Sequence, residues 1–75
     1  MTPTDLGLHI RAARRSVGLR QDELAAAAGV GLRFLVELER GKSTAQLGKI
    51  LQVLDALGLT LTVAPRTQPV MAIRA

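Results

Sequence analysis

The sequence predicts an all-α domain of four short helices, followed by one short β-strand over residues 59–64. Two observations carry that prediction. Apolar residues recur at helical spacing in four runs, closed in turn by Gly18, Gly29, Gly41 and Gly58. The period then switches to strict alternation in "LTLTV", residues 59–63, which is the pattern of a half-buried strand.

The first helix rests on Leu6, Ile10, Ala13 and Val17, which fall at i, i+4, i+7 and i+11 and predict a helix from about Asp5 to Val17. Thr4 or Asp5 is the expected cap, with Pro3 just upstream and Gly18 at the end. The second helix spans Gln21 to Ala28, with Leu24, Ala25 and Ala28 inward and Gly29 stopping it. Its alanine run allows a neighbouring helix to approach closely, and Asp22 and Glu23 in its first turn suit the positive end of the helix dipole. The third runs from Leu32 to about Arg40, burying Leu35 and Leu38. The fourth follows Ser43 and Gln46, which have capping-box spacing, and carries Leu47, Ile50, Leu51, Leu54 and Leu57 as its apolar stripe.

A lone strand leaves its backbone groups unpaired, so residues 59–64 need a partner. Two are available: "VMAI", residues 70–73, folding back over "PRTQP", or the same strand of a second copy. The second copy is favoured, because an isolated hairpin is marginal and dimerisation enlarges a small core. The chain thus divides into one domain over residues 1–64 and a flexible tail over 65–75.

Composition narrows the function. Seventy-five residues lie near the lower limit for a chain held by its own core, and there is no cysteine to staple it. Tight helix packing and oligomerisation are the remaining remedies. Ten Lys and Arg against six Asp and Glu give a net charge of +4, which suits a polyanionic partner, although a generic basic surface has the same composition. Phe34 is the sole aromatic residue, so a single-strand binder that stacks bases on aromatic platforms is disfavoured. With no long apolar run and no signal-peptide layout in "MTPTDLGLHI", the expected location is the cytoplasm. His9 is the only histidine, on the exposed side of the first helix, and no phosphate loop, paired-carboxylate site or metal-ligand spacing is present. An enzyme is therefore not expected, nor a cofactor or metal.

Two short helices joined by a tight glycine-containing turn, inside a four-helix unit, are the layout of a helix-turn-helix. With Leu35 and Leu38 inward, the third helix presents Leu32, Arg33, Val36, Glu37 and Arg40 outward. Arg33 is suited to a bidentate pair with guanine O6 and N7, and Leu32 to a thymine methyl. Glu37 has two readings: acceptor from cytosine N4, or a carboxylate that orients Arg33 or Arg40. Gln21, at the start of the second helix, has an amide and free backbone N–H groups to hold a phosphate, and Arg20, Arg40 and Lys42 are further phosphate candidates. Phe34 is assigned to packing rather than to base reading.

The stretch "LGLHIRAARRSVGLRQDELAAAAGVGLRFLVELERGKST" resembles the Xre/Cro/cI family of DNA-binding domains, whose run reads G-L-T-Q-x-E-L-A, a glycine, a valine, then a recognition helix ending I-E-R-G-K. The resemblance covers residues 6–58 and implies a lambda-repressor-like bundle. By position it makes Leu32, Arg33 and Glu37 the base-reading residues and Gln21 a backbone contact. It further implies that Arg14 and Glu39 form a buried structural ion pair, not a DNA contact. "LGKILQVLDALGLTLTVAP" is similar to the HipB-type antitoxins of that family, which add a C-terminal strand pairing across a dimer; here Leu59, Leu61 and Val63 are the expected strand residues.

That resemblance implies a homodimeric repressor on a palindromic operator, nucleoid-associated when bound to double-stranded DNA. It also implies that the protein neutralises a HipA-like serine/threonine kinase toxin and represses the shared operon. Two other readings stay open: a stand-alone Xre-family regulator, or a protein-interaction module that kept the fold and lost DNA binding, for which Glu37, Leu32, Val36 and Phe34 are the support. The chain departs from the family pattern at Arg20, where a Ser or Thr cap is usual, and at Gly31, where a Ser usually opens the recognition helix.

Overall fold

A computed structural model describes residues 1–65. Four helices follow in order: α1 (Pro3–Ser16), α2 (Gln21–Ala28), α3 (Leu32–Glu39) and α4 (Leu47–Ala56). Packing of α1 on α3, α2 on α3 and α2 on α4 closes them around one core.

Helix α1 starts earlier than its apolar period indicates, because the cap is Thr2 rather than Thr4 or Asp5. The Thr2 hydroxyl accepts from the Asp5 N–H at 3.1 Å, and the Thr2 N–H donates to the Asp5 carboxylate at 3.0 Å. This reciprocal box, with Pro3 preset for the first helical position, satisfies two otherwise free N–H groups. The helix ends at Ser16, so Val17 falls outside it and is exposed instead of joining the core. Its inward face holds Gly7, Ile10 and the aliphatic length of Arg14.

Helix α2 has no side-chain acceptor at Arg20, but the other half of a capping box survives: the Arg20 N–H donates to Glu23 Oε1 at 2.8 Å. Gly29 ends the helix at φ +73°, a left-handed conformation that costs glycine little, and lets the Val30 N–H reach back to the Ala25 carbonyl at 3.0 Å. That turn sets the short step into α3. Helix α3 itself ends at Glu39, with Arg40 as its cap.

In α4 the expected Ser43 cap is not used. Gln46 is the cap residue, in extended conformation and without a side-chain bond, and the helix begins at Leu47. Ala45, half-buried against the core, holds the preceding segment in a turn that cannot also be the first helical turn. The inward stripe also differs: it is Ile50, Val53 and Leu54 with Leu57 beside them, while Leu47 and Leu51 are 60% and 43% exposed. At about 100° per residue, Ile50, Val53, Leu54 and Leu57 cluster on one face and Leu47 and Leu51 lie on its flank.

The core comprises Ile10, Leu24, Ala25, Ala28, Leu35, Leu38, Ile50, Val53 and Leu54, with Leu6, Leu19, Val30 and Phe34 packed at its edge. Gly7 permits the α1–α3 approach: a Cβ there would lie 2.6 Å from the carbonyl oxygens of both Leu38 and Glu39. After α4, residues 59–65 make no helix or strand within the described chain, and Leu59, Leu61 and Val63 are exposed. The four-helix bundle therefore stands as expected, whereas the strand at 59–64 has no partner among the described residues. The "VMAI" segment and most of the tail lie outside them.

Candidate nucleic-acid interface

The junction of α1, α2 and α3 is fixed by one buried polar network. Arg14 donates through Nε to Glu39 Oε2 at 2.7 Å and through Nη2 to Glu39 Oε1 at 3.0 Å, a bidentate pair. Its remaining Nη1 donates to the Leu19 carbonyl at 2.9 Å, in the turn before α2. Gln21 Nε2 adds a bond to Glu39 Oε1 at 3.2 Å, joining the start of α2 to the end of α3. Both ions are buried, and among the described residues no buried side-chain polar atom lacks a partner. The hydrogen bonds to Glu39 hold the Arg14 pKa above its ordinary value against the opposing pull of desolvation.

The network sets the orientation of α3. Leu35 and Leu38 point into the core, and Leu32 and Arg33 project from the first turn into solvent, the Arg33 side chain being 91% exposed. One turn on, Glu37 sits between two cations. Its Oε1 accepts from Lys42 Nζ at 3.1 Å, and its Oε2 lies 3.8 Å from Arg33 Nε. The Lys42 bond, helped by Arg33 and Arg40, holds the Glu37 carboxyl below its usual pKa. Glu37 is thus an ionised bridge from Arg33 to Lys42, and it makes no ion pair with Arg40. Phe34 is half-buried, and Lys49 Nζ stands 5.5 Å from its ring centroid.

A shallow groove of about 460 Å³ opens beside this face. Arg20 and Gln21 at the start of α2 form one wall, and Val36, Glu39 and Arg40 on α3 form another. The Arg20 guanidinium is held by Asp22 at 3.1 Å and lies 3.9 Å from Glu23, so its charge is locally compensated. Arg11 and Arg15, which the sequence expectations do not include, line the third wall with Arg14. Their i, i+4 spacing on α1 was the available signal.

This geometry can present a helix to a groove edge while basic side chains meet an anionic backbone. Among the described residues no group of three or more His, Asp or Glu is gathered to hold a metal. No helix among them is long and apolar enough to cross a membrane.

Comparison with known proteins points the same way. A family model described as helix-turn-helix matches residues 10–63. An uncharacterized HTH-type transcriptional regulator, y4mF, of Sinorhizobium fredii is 58% identical over 62 residues, covering 83% of this chain and 82% of its own. Among solved structures, a HipA–HipB–O2–O3 complex contains a chain that superposes with a TM-score of 0.81 at 25% identity, over 91% of this chain and 94% of that one. A HipB–O4 20mer complex gives 0.79 at 25% identity, over 85% and 90%.

Proposed function

The chain belongs to the helix-turn-helix family, as an Xre/Cro-like member related to HipB-type antitoxins, and from that premise we propose that it is a homodimeric, sequence-specific repressor that also serves as the antitoxin of a HipBA-type pair. In this reading Arg33 pairs with a guanine edge, Leu32 contacts a thymine methyl, and Glu37 holds Arg33 in register as well as facing the bases. Gln21, Arg20, Arg40 and Lys42 hold the phosphate backbone and supply affinity without sequence choice. The strand residues Leu59, Leu61 and Val63 pair with their counterparts in a second copy, and a HipA-like kinase toxin is the protein partner.

The observation that carries the reading is the first turn of α3: Leu32 and Arg33 exposed on a helix whose opposite face is anchored by Leu35, Leu38 and the Glu39–Arg14 pair. A helix fixed on one side and free at its N-terminal turn is what major-groove docking requires. The test is footprinting of the full chain on the DNA upstream of its own reading frame. The expected result is protection with two-fold symmetry, half-sites one helical turn or a multiple apart; a single asymmetric footprint, or none, sinks the dimeric repressor. The antitoxin part is tested by co-expression with any adjacent kinase-like reading frame, where a stable complex is expected and separate elution counts against it.

A further inference from the structure

Resting on that reading, we propose that helix α1 contributes a phosphate-binding site of its own: Arg11 and Arg15, with Arg40 across the groove, clamp a phosphodiester of the DNA backbone flanking the recognition helix. Among the described residues, every other arginine already has a carboxylate. Arg14 is bound to Glu39, Arg20 to Asp22, and Arg33 to Glu37. Arg11, Arg15 and Arg40 make no ion pair within the described chain, are exposed, and line the same groove. Like charges gathered there repel one another, and the groove's own carboxylate, Glu39, is already spent on Arg14 and Gln21. An anion from outside removes that repulsion, and a guanidinium offers it paired N–H donors in a fixed fork.

The groove's position selects a polymer phosphate over a small free anion. Val36 and Arg40 belong both to the groove wall and to the outward face of α3, so the groove runs alongside the helix that would enter the major groove. A backbone bordering that major groove passes directly over it. Arg11 and Arg15 are one helical turn apart on α1 and reach the same stretch of backbone from the side opposite α3. The contact extends the protein's hold beyond the two helices of the motif to α1, which is tied to that motif by the buried Arg14 and by its close packing on α3 at Gly7.

The experiment moves the charges without changing their number. A variant with Arg11→Ala, Ala12→Arg, Arg15→Ala and Ser16→Arg keeps the net charge and a cation in the last turn of α1. It rotates each guanidinium by about 100° around the helix, out of the groove. Binding of the full chain to a mixed-sequence DNA duplex is followed by fluorescence anisotropy over a salt series, with circular dichroism to compare helix content. The wild-type chain is expected to show a linear fall of log K with log salt, and the variant a slope shallower by about 1.8, from about 0.9 for the one phosphodiester released by each protomer of the dimer. Arg11→Ala and Arg15→Ala singly are each expected to remove about half of that. A slope unchanged in the variant, with the wild-type slope present, overturns the α1 site and leaves the repressor reading standing. A wild-type chain with no salt slope at all overturns both.

Discussion

At the residue scale Glu39 is the pivot. Its two carboxylate oxygens accept from Arg14 and Gln21, so a single side chain ties α1, the start of α2 and the end of α3. Glu39→Gln leaves the Arg14 guanidinium buried without its counter-ion, and urea unfolding is expected to show a loss of about 3–5 kcal/mol. The double variant Arg14→Met, Glu39→Leu removes both charges and is expected to recover most of that loss, since apolar replacement of a buried pair is often neutral. If the double variant is as unstable as the single one, packing and not charge is what the pair supplies. The partners lie 25 residues apart, and no local period points from one to the other. In the sequence only the family resemblance linked them, and nothing there joined Gln21 to the pair. Glu37 illustrates the same limit: its bond to Lys42 depends on the chain turning back after Gly41, which helical spacing within α3 does not describe.

At the element scale, apolar periodicity located all four helices and the inward Leu24, Leu35, Leu38 and Leu54, because a helix in a bundle must bury one stripe, but on α4 it counted the exposed Leu47 and Leu51 as inward and passed over the buried Val53. It was less informative at the ends, where hydrogen bonding decides: Thr2, not Thr4 or Asp5, caps α1, and Gln46, not Ser43, opens α4. The α1 box makes a pH prediction. Its bonds to the Thr2 N–H and hydroxyl hold the Asp5 carboxyl below its ordinary value of 3.8. A carboxyl whose folded pKa lies below its unfolded one contributes stability above the unfolded value and loses it as pH falls through the folded one. Glu37 and Asp22, lowered by Lys42 and Arg20, act in the same direction. The thermal midpoint is therefore expected to hold from neutrality to about pH 5 and to decline below about pH 4. Asp5→Asn is expected to make that decline shallower, and an unaltered acid limb would count against the box.

Two glycines on helices test packing against propensity. A Cβ added at Gly48 would meet nothing within 4 Å, so Gly48→Ala is expected to raise stability by a few tenths to about 1 kcal/mol. At Gly7 the same propensity gain is opposed by backbone oxygens at 2.6 Å, and Gly7→Ala is expected to lose about 1–3 kcal/mol as α1 is pushed off α3. Equal changes at the two sites would mean that α1 and α3 do not cross at backbone contact.

At the scale of the whole molecule the core is small, and apolar surface remains outside it. Leu47 and Leu51 on the flank of α4, then Leu59, Leu61 and Val63 beyond it, are exposed together. Alternation in "LTLTV" marked a strand in the sequence, but a strand exists only with a partner, and one chain supplies none among its described residues. That element was legible as a pattern and not as a structure, because its other half belongs to a second copy in the function proposed. Sedimentation of the full chain is expected to show a dimer, and of a chain ending at Gly58 a monomer; a truncated chain that dimerises as tightly would move the interface to α4. Base reading was likewise only partly legible. Arg33 and Leu32 could be placed on an outward face, but which bases they meet depends on DNA geometry that no residue encodes.

The central claim is that α3 reads sequence through Arg33, and the most direct test compares two duplexes at one fixed salt concentration: the DNA upstream of the reading frame and a scrambled duplex of equal length. The wild-type chain is expected to prefer the upstream duplex by about 10³-fold or more. Arg33→Ala is expected to lose about 1–3 kcal/mol of that preference per guanine contact while its affinity for the scrambled duplex stays close to wild type. Equal wild-type affinity for both duplexes, or an Arg33→Ala chain that discriminates as well as wild type, would contradict it.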